Sequence, residues 1–206
     1  MSSPAMSGVE SVVIATHNSG KLREFRSLLR GTGLRILGLA DISLEVECTE
    51  SGTSFAENAC MKAVAYSMHT PLPVLADDSG LEVYALGGRP GIHSARYAGP
   101  GASDADRIVK LLQELQLAGN DRRARFVCAL ALAREGVVLL QTEGECHGVV
   151  ADRPSGCNGF GYDPIFFFQE LGRTYAELSE DEKNRHSHRA RAVQQLIKAL
   201  NPSLEL

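Results

Sequence analysis

Ala124-Arg125-Phe126-Val127-Cys128-Ala129-Leu130-Ala131-Leu132-Ala133 is followed by Arg134-Glu135-Gly136, then by Val137-Val138-Leu139-Leu140 and a further β-prone run as far as Val150. Two long runs rich in Val and Leu on either side of a short turn ending in glycine read as an antiparallel hairpin at the centre of a sheet. On the N-terminal side, Val12-Val13-Ile14-Ala15 is a β-branched run, followed by a polar stretch from Thr16 to Lys21. Leu22, Phe25, Leu28 and Leu29 then recur at helical spacing up to Gly31, giving strand, polar loop and helix. A second short strand is expected around Leu34 to Leu37.

Ser54 and Glu57 have capping-box spacing at the head of a helix whose inner face is predicted to be Phe55, Ala59, Ala63 and Val64. It should stop near His69, because Pro71 and Pro73 follow. Val74-Leu75-Ala76 reads as a short buried strand that ends at Asp77-Asp78, with Ser79-Gly80 marking a turn. A Gly- and Pro-rich loop runs from Gly87 to Gly101. Ser103 then opens a helix with Ile108, Leu111, Leu112 and Leu115 inward and Gly119 as its stop. Beyond the hairpin, a glycine-dense loop from Gly156 to Pro164 leads into a strand from Ile165 to Phe168. Ser179 and Glu182 offer a second capping box, and the final helix carries Ala192, Val193, Leu196, Ile197 and Leu200 on one face. The order of elements is mixed α/β, a single domain over residues 9–206 behind a loose N-terminal tail at 1–8.

The chain has 206 residues, of which 44% are hydrophobic and 22% charged, enough apolar material for one core or for one domain with two lobes. Its net charge of -4 lacks the basic footprint that drives binding to nucleic acid or to an anionic membrane. Five cysteines form an odd set without Cys-x-x-Cys spacing, which reads as reduced thiols in a cytoplasmic protein rather than a disulfide framework or zinc site. No stretch approaches the ~20 apolar residues of a membrane span.

Asp77 and Asp78 are the first candidates for chemistry. Taken alone, two short acids before a glycine make a turn. Together with Ser79-Gly80 and the acidic stretch Glu45, Glu47 and Glu50, they point to a cation or a transferred proton, since adjacent carboxylates repel. Magnesium takes one or two carboxylates together with substrate phosphates, so Asp78 and one of the glutamates suffice.

The stretch Thr16-His17-Asn18-Ser19-Gly20-Lys21 lies between a strand and a helix, where free N–H groups and the helix dipole favour an anion. A simple N-cap by Asn18 or Ser19 accounts for the same residues equally well. It is not a P-loop, which needs glycine at Ala15 and a hydroxyl at Leu22. The loop with Phe160, Gly161, Tyr162 and Asp163 lets backbone approach a ligand closely and offers an aromatic ring to a base, although Phe160 serves equally as a core residue. Lys183, Arg185, His186, His188, Arg189 and Arg191 concentrate positive charge, as a solvated helix face or a sink for polyphosphate.

Read in order, these stretches resemble the inosine triphosphate pyrophosphatase family. The match is carried by Ala15 to Lys21 with Glu24, Ser51 to Ala59 with Lys62 and Ala63, Ala76 to Leu81, Leu86 to Ile92, and Ser94 to Tyr97. Gly159 to Phe166 and Ser187 to Ala190 complete it, so that nearly the whole chain from about Val12 onward is covered. The resemblance implies an elongated mixed β-sheet flanked by helices, with two lobes and a central nucleotide cleft, usually as a homodimer. It also implies Mg²⁺-dependent cleavage of non-standard purine nucleoside triphosphates (ITP, dITP, XTP) to monophosphate and pyrophosphate. A pyrophosphatase for modified pyrimidine nucleotides and a non-catalytic nucleotide-binding regulator are the alternatives.

Carried over residue by residue, Thr16, His17, Asn18, Ser19, Gly20 and Lys21 hold the phosphates, Asp78 is the proton acceptor and a metal ligand, and Ser79 contacts substrate. Phe160, Gly161, Tyr162, Asp163, Lys183, His188 and Arg189 complete the nucleotide site, with Arg189, His188 or nearby backbone N–H groups as the donor to the 6-oxo group. Many relatives carry two adjacent glutamates before the second motif, where this chain has Thr49 and Glu50. Glu50 is therefore the expected second metal ligand, ahead of Glu47.

Overall fold

The structure, a computed structural model, describes residues 9–46 and 48–200; the expected tail at 1–8 and the alternative ligand Glu47 lie outside the described residues. The chain begins with β1 (Ser11–Ala15), α1 (Ser19–Leu28), β2 (Arg35–Gly38), α2 (Phe55–Ser67) and β3 (Val74–Val83). It continues through α3 (Asp104–Ala118), β4 (Arg123–Arg134), β5 (Val137–Val150), β6 (Phe166–Phe168), β7 (Arg173–Thr174), α4 (Glu180–His186) and α5 (His188–Leu200).

The strands form one seven-stranded sheet in the order β2-β1-β3-β4-β5-β6-β7. β1 runs parallel to β2 and β3, because a helix lies in each connection and returns the chain to the same end of the sheet. β5, β6 and β7 pair antiparallel, so the sheet is mixed.

The hairpin read from the sequence is present as β4 and β5. Its two-residue turn places both Glu135 (φ 51°) and Gly136 (φ 78°) in the left-handed region, the geometry whose twist matches that of the flanking strands. β4 is buried at every residue from Phe126 to Ala133, as expected of a strand covered on both faces, whereas the first half of β5 alternates between half-buried and exposed.

Two expectations are corrected. Asp77 and Asp78 lie inside the ten-residue strand β3, not at a strand end, and Ser79-Gly80 continues that strand. The alternation of buried Leu81 and Val83 about half-buried Glu82 is strand spacing, and it outweighs the glycine as a turn signal. Ile165 belongs to a short 3-10 turn, Asp163–Ile165, before β6. The expected capping box of Ser179 and Glu182 is present at the head of α4, and the final helix, α5, follows after Ser187, whose backbone is extended (ψ 156°).

The chain divides into two compact units, each assembled from separated stretches. The first comprises the chain up to Asp78, Cys128–Gly144 and the chain from Arg189 onward. Its core packs Val12, Ile14, Phe25, Leu29, Leu75, Leu130, Leu132 and Leu196. The second comprises Ser79–Val127 and Glu145–His188, with a core that includes Leu81, Leu111, Leu115, Phe126, Phe166 and Tyr175. Among the described residues no helix is long and apolar enough to cross a membrane.

Candidate active site

In β3 successive side chains point to opposite faces, so the two neighbouring aspartates have separate surroundings. Asp77 is fully buried. Its Oδ1 lies 3.0 Å from Lys21 Nζ, its Oδ2 accepts from Arg189 Nη2 at 3.1 Å, and the Cys128 thiol points at the same oxygen from 3.9 Å. Arg189, also buried, pairs through Nη1 with Glu24 Oε2 and lies over the Phe25 ring. Burial alone raises the pKa of Asp77, but Lys21, Arg189 and Lys62 outweigh it and hold the carboxyl far below the usual carboxylate range.

Asp78 faces α2. Its Oδ2 accepts from Asn58 Nδ2 at 3.1 Å and its Oδ1 from Lys62 Nζ at 3.2 Å. The same ammonium donates to the Asp77 carbonyl at 2.6 Å and lies 3.2 Å from Glu50 Oε1. Burial raises the pKa of Asp78 and prevails over the lowering by Lys62 and Lys21, with Glu50 adding to the rise. For Lys62, burial lowers the pKa, and the carboxylates of Asp78, Asp77 and Glu50 more than reverse it. The adjacent acids are thus driven in opposite directions.

α2 supplies Asn58 and Lys62 because its buried stripe is Phe55, Asn58, Ala59, Lys62, Ala63 and Tyr66, with Val64 only half-buried. Ser54 caps it by accepting from Glu57 N, and the Glu57 carboxylate turns back to accept from Thr53 N and Oγ1. The sequence alone assigns no role to Asn58, Lys62 or Glu24. The available signal was two polar residues at inward positions of a helical stripe.

In the same unit, the polar loop before α1 is both cap and charge. Asn18 accepts from Lys21 N at 3.0 Å, and Thr16 Oγ1 accepts from Asn18 N at 3.1 Å. His17, Asn18 and Ser19 are exposed at the N-terminus of the ten-residue α1, Gly20 is buried, and the His17 ring lies 3.2 Å from the Tyr66 hydroxyl. The Lys21 ammonium, held by Asp77, projects from the first turn.

A second cluster belongs to the other unit. Asp163 Oδ2 accepts from Phe160 N at 2.9 Å and from Lys183 Nζ at 2.5 Å, and that ammonium lies 4.9 Å over the Phe160 ring. Gly159 is required there, since a Cβ on it would lie 2.0 Å from the same Asp163 oxygen. Gly161 N donates to Asp104 Oδ2 at 2.6 Å, and the buried Tyr162 hydroxyl donates to the Ser94 carbonyl at 3.0 Å. Ser79 is half-buried in β3. His188 stacks on Phe126, with centroids 4.6 Å apart and rings 13° from parallel. His188 and Arg189, expected as a pair at the base, therefore belong to different units, with the Arg189 guanidinium on Glu24 and Asp77.

No group of three or more His, Cys, Asp or Glu stands ready as a complete metal cage among the described residues. Around β3 of the first unit, however, four carboxylates (Glu24, Glu50, Asp77, Asp78) share three cations (Lys21, Lys62, Arg189), and two of the four converge on one ammonium. Those two, Glu50 and Asp78, are hard oxygen donors in the number that magnesium takes when water and phosphate complete its shell.

Comparison with known proteins gives concordant matches. A family model described as the Ham1 family matches residues 12–199. A dITP/XTP pyrophosphatase of Geobacillus kaustophilus is 50% identical over 189 residues, covering 91% of this chain and 93% of the relative. One of Bacillus subtilis is 46% identical, covering 93% and 98%. Among solved structures, a HAM1 protein from Coxiella burnetii is 43% identical with a TM-score of 0.84, covering 94% of this chain and 99% of that one. The Staphylococcus aureus Ham1 protein is 40% identical with a TM-score of 0.83, covering 94% and 100%.

Proposed function

The chain belongs to the Ham1 family, and from that premise we propose that it hydrolyses non-standard purine nucleoside triphosphates (dITP, ITP and XTP) to the monophosphate and pyrophosphate. The observation that carries the chemistry is the contrast in the partners of the two aspartates: Asp77 is buried between Lys21 and Arg189, whereas Asp78 accepts from neutral Asn58 and from a lysine that it shares with Glu50. Asp78, with its raised pKa and one donor on each oxygen, accepts the proton of the attacking water. The water oxygen bonds to the α-phosphorus, the bond to the β-phosphate oxygen breaks, and pyrophosphate leaves.

Asp77 stays ionised and acts as a strut. It holds Lys21, whose charge meets the phosphates at the α1 N-terminus together with Thr16, His17, Asn18, Ser19 and Gly20. Arg189, tied to Glu24 and Asp77, keeps the strut in place. Asp78 and Glu50 hold Mg²⁺, which when bound neutralises charge on the phosphates. In the other unit Phe160 stacks on the purine, and Lys183, already over that ring, donates to the 6-oxo group. An adenine amino group there would leave two donors opposed, at a cost of ~1 to 3 kcal/mol. A regulator without turnover has no use for a carboxyl of raised pKa beside a paired lysine, which favours the enzyme.

None of the five cysteines is joined in a disulfide, which supports a reducing cytoplasmic setting, and the resemblance to the family supports a homodimer as the working form. Neither nucleic acid nor membrane is a partner, in keeping with the charge of -4. The test is product analysis over a nucleotide panel with and without Mg²⁺. Pyrophosphate is expected from dITP, ITP and XTP, with ATP poor and EDTA abolishing release. Equal turnover of ATP and ITP, or orthophosphate as the first product, would sink the proposal.

A further inference from the structure

The loop that carries Phe160 is fastened at several points inside its own unit. Cys157 N and Asn158 N both donate to the Ala176 carbonyl, at 3.1 and 3.0 Å, and Asn158 Nδ2 donates to the Leu178 carbonyl at 3.0 Å. Asp163 folds back on Phe160 N, and the Tyr162 hydroxyl is anchored on Ser94. Gly161 directly follows Phe160 and holds φ 63°. Its amide donates at 2.6 Å to Oδ2 of Asp104, a residue 57 positions earlier, at the first position of α3.

Asp104 is itself held in place. Its other oxygen, Oδ1, pairs with Arg107, whose Nη1 donates to the carbonyls of Ala95 (2.6 Å) and Ala102 (3.0 Å). Ser103 and Asp106 form the reciprocal box that caps α3, so the cap does not need the Asp104 carboxylate. The carboxylate therefore spends one oxygen on a crosslink to a backbone amide in a separate loop. A charged acceptor on an amide makes one of the stronger hydrogen bonds a loop can have.

We propose that Asp104 is a positioning residue for nucleotide binding, fixing the Gly161 amide so that the Phe160 ring is presented in one orientation before substrate arrives. This rests on the reading of Phe160 as the base platform. Pre-set geometry lowers the ordering cost of binding, so loss of the crosslink falls on KM more than on kcat. Asp104→Ala removes the acceptor, Asp104→Asn keeps an oxygen that can accept from Gly161 N, and Arg107→Ala removes the ion pair while leaving the acceptor.

The experiment measures kcat and KM for dITP and XTP in all four proteins, alongside exchange of the Gly161 amide by NMR. Asp104→Ala is expected to raise KM about tenfold with a smaller fall in kcat, and to accelerate Gly161 exchange. Asp104→Asn should recover most of both effects, and Arg107→Ala should lower the melting temperature without reproducing the KM change. An unaltered KM in Asp104→Ala, or the same KM rise in Arg107→Ala, overturns the proposal. Should Asp104→Ala fail to fold, protected Gly161 and near-normal KM in Asp104→Asn support it, and fast exchange with wild-type KM overturns it. Failure of the wild-type protein to release pyrophosphate counts against the assigned function instead, and the exchange data then still judge the crosslink.

Discussion

At Asp77 and Asp78, one peptide bond separates a permanent charge from a tunable one. Asp77 has a folded pKa below its unfolded value, so its contribution to stability is full above the unfolded pKa of about 3.9 and is lost as pH falls toward the folded value. Asp78 has a folded pKa above its unfolded value, so its ionisation opposes folding once pH rises through that window. Substitution should separate them cleanly. Asp78→Asn is expected to lose at least about a hundredfold in turnover while still binding nucleotide. Asp77→Asn leaves Arg189 and Lys21 short of a buried counter-charge and should cost ~3–5 kcal/mol in urea unfolding. Should Asp78→Asn keep normal turnover, or should Asp77→Asn alone abolish activity with stability intact, the assigned roles are reversed or wrong.

Among elements, those with strong local signals were legible in the sequence: α3 from Ser103 and the inward Ile108, Leu111 and Leu115, and the β4–β5 hairpin from its two β-prone runs. β3 was cut short because Gly80 resembles a turn while its neighbours Leu81 and Val83 keep strand alternation, a contest only the paired neighbours decide. The roles of Lys62 and Asn58 are not legible in the sequence, since helix periodicity marks an inward face but not what that face meets across 15 to 20 residues of chain. The hairpin turn also carries a removable strain. Glu135 holds φ 51° without being Gly or Asn, and its contact with Arg134 is exposed and 3.8 Å long, so little is lost by replacing it. Glu135→Asn should stabilise the protein by about 0.5–1 kcal/mol, which for a chain of this size raises Tm by roughly 1–4 °C in calorimetry. An unchanged or lower Tm would mean that the left-handed turn carries no such strain.

Over the whole molecule, the acid–base pair and the aromatic loop belong to units with separate cores, an arrangement invisible in a linear pattern because each unit is stitched from distant stretches. The boundaries fall between Asp78 and Ser79, Val127 and Cys128, Gly144 and Glu145, and His188 and Arg189, so adjacent residues of one motif serve different cores. That partition predicts how a core lesion should read out in kinetics. Leu115 is fully buried in the core that contains Tyr162, Phe166 and Tyr175, and Leu115→Ala should cost ~2–5 kcal/mol by leaving a cavity in that core. Assayed well below its melting temperature, the variant should raise KM for dITP through a loosened Phe160 loop. Its kcat should titrate with the acid-limb pKa of the wild type, because Asn58, Lys62, Glu50 and Asp78 belong to the other unit. A matched truncation in the first core, Leu130→Ala, should do the reverse and move the acid limb, since Leu130 packs with Leu75, three residues from Asp78 on the same strand. If both variants shift the acid limb equally, the two cores do not govern separate functions, and the chemistry is spread through the whole fold.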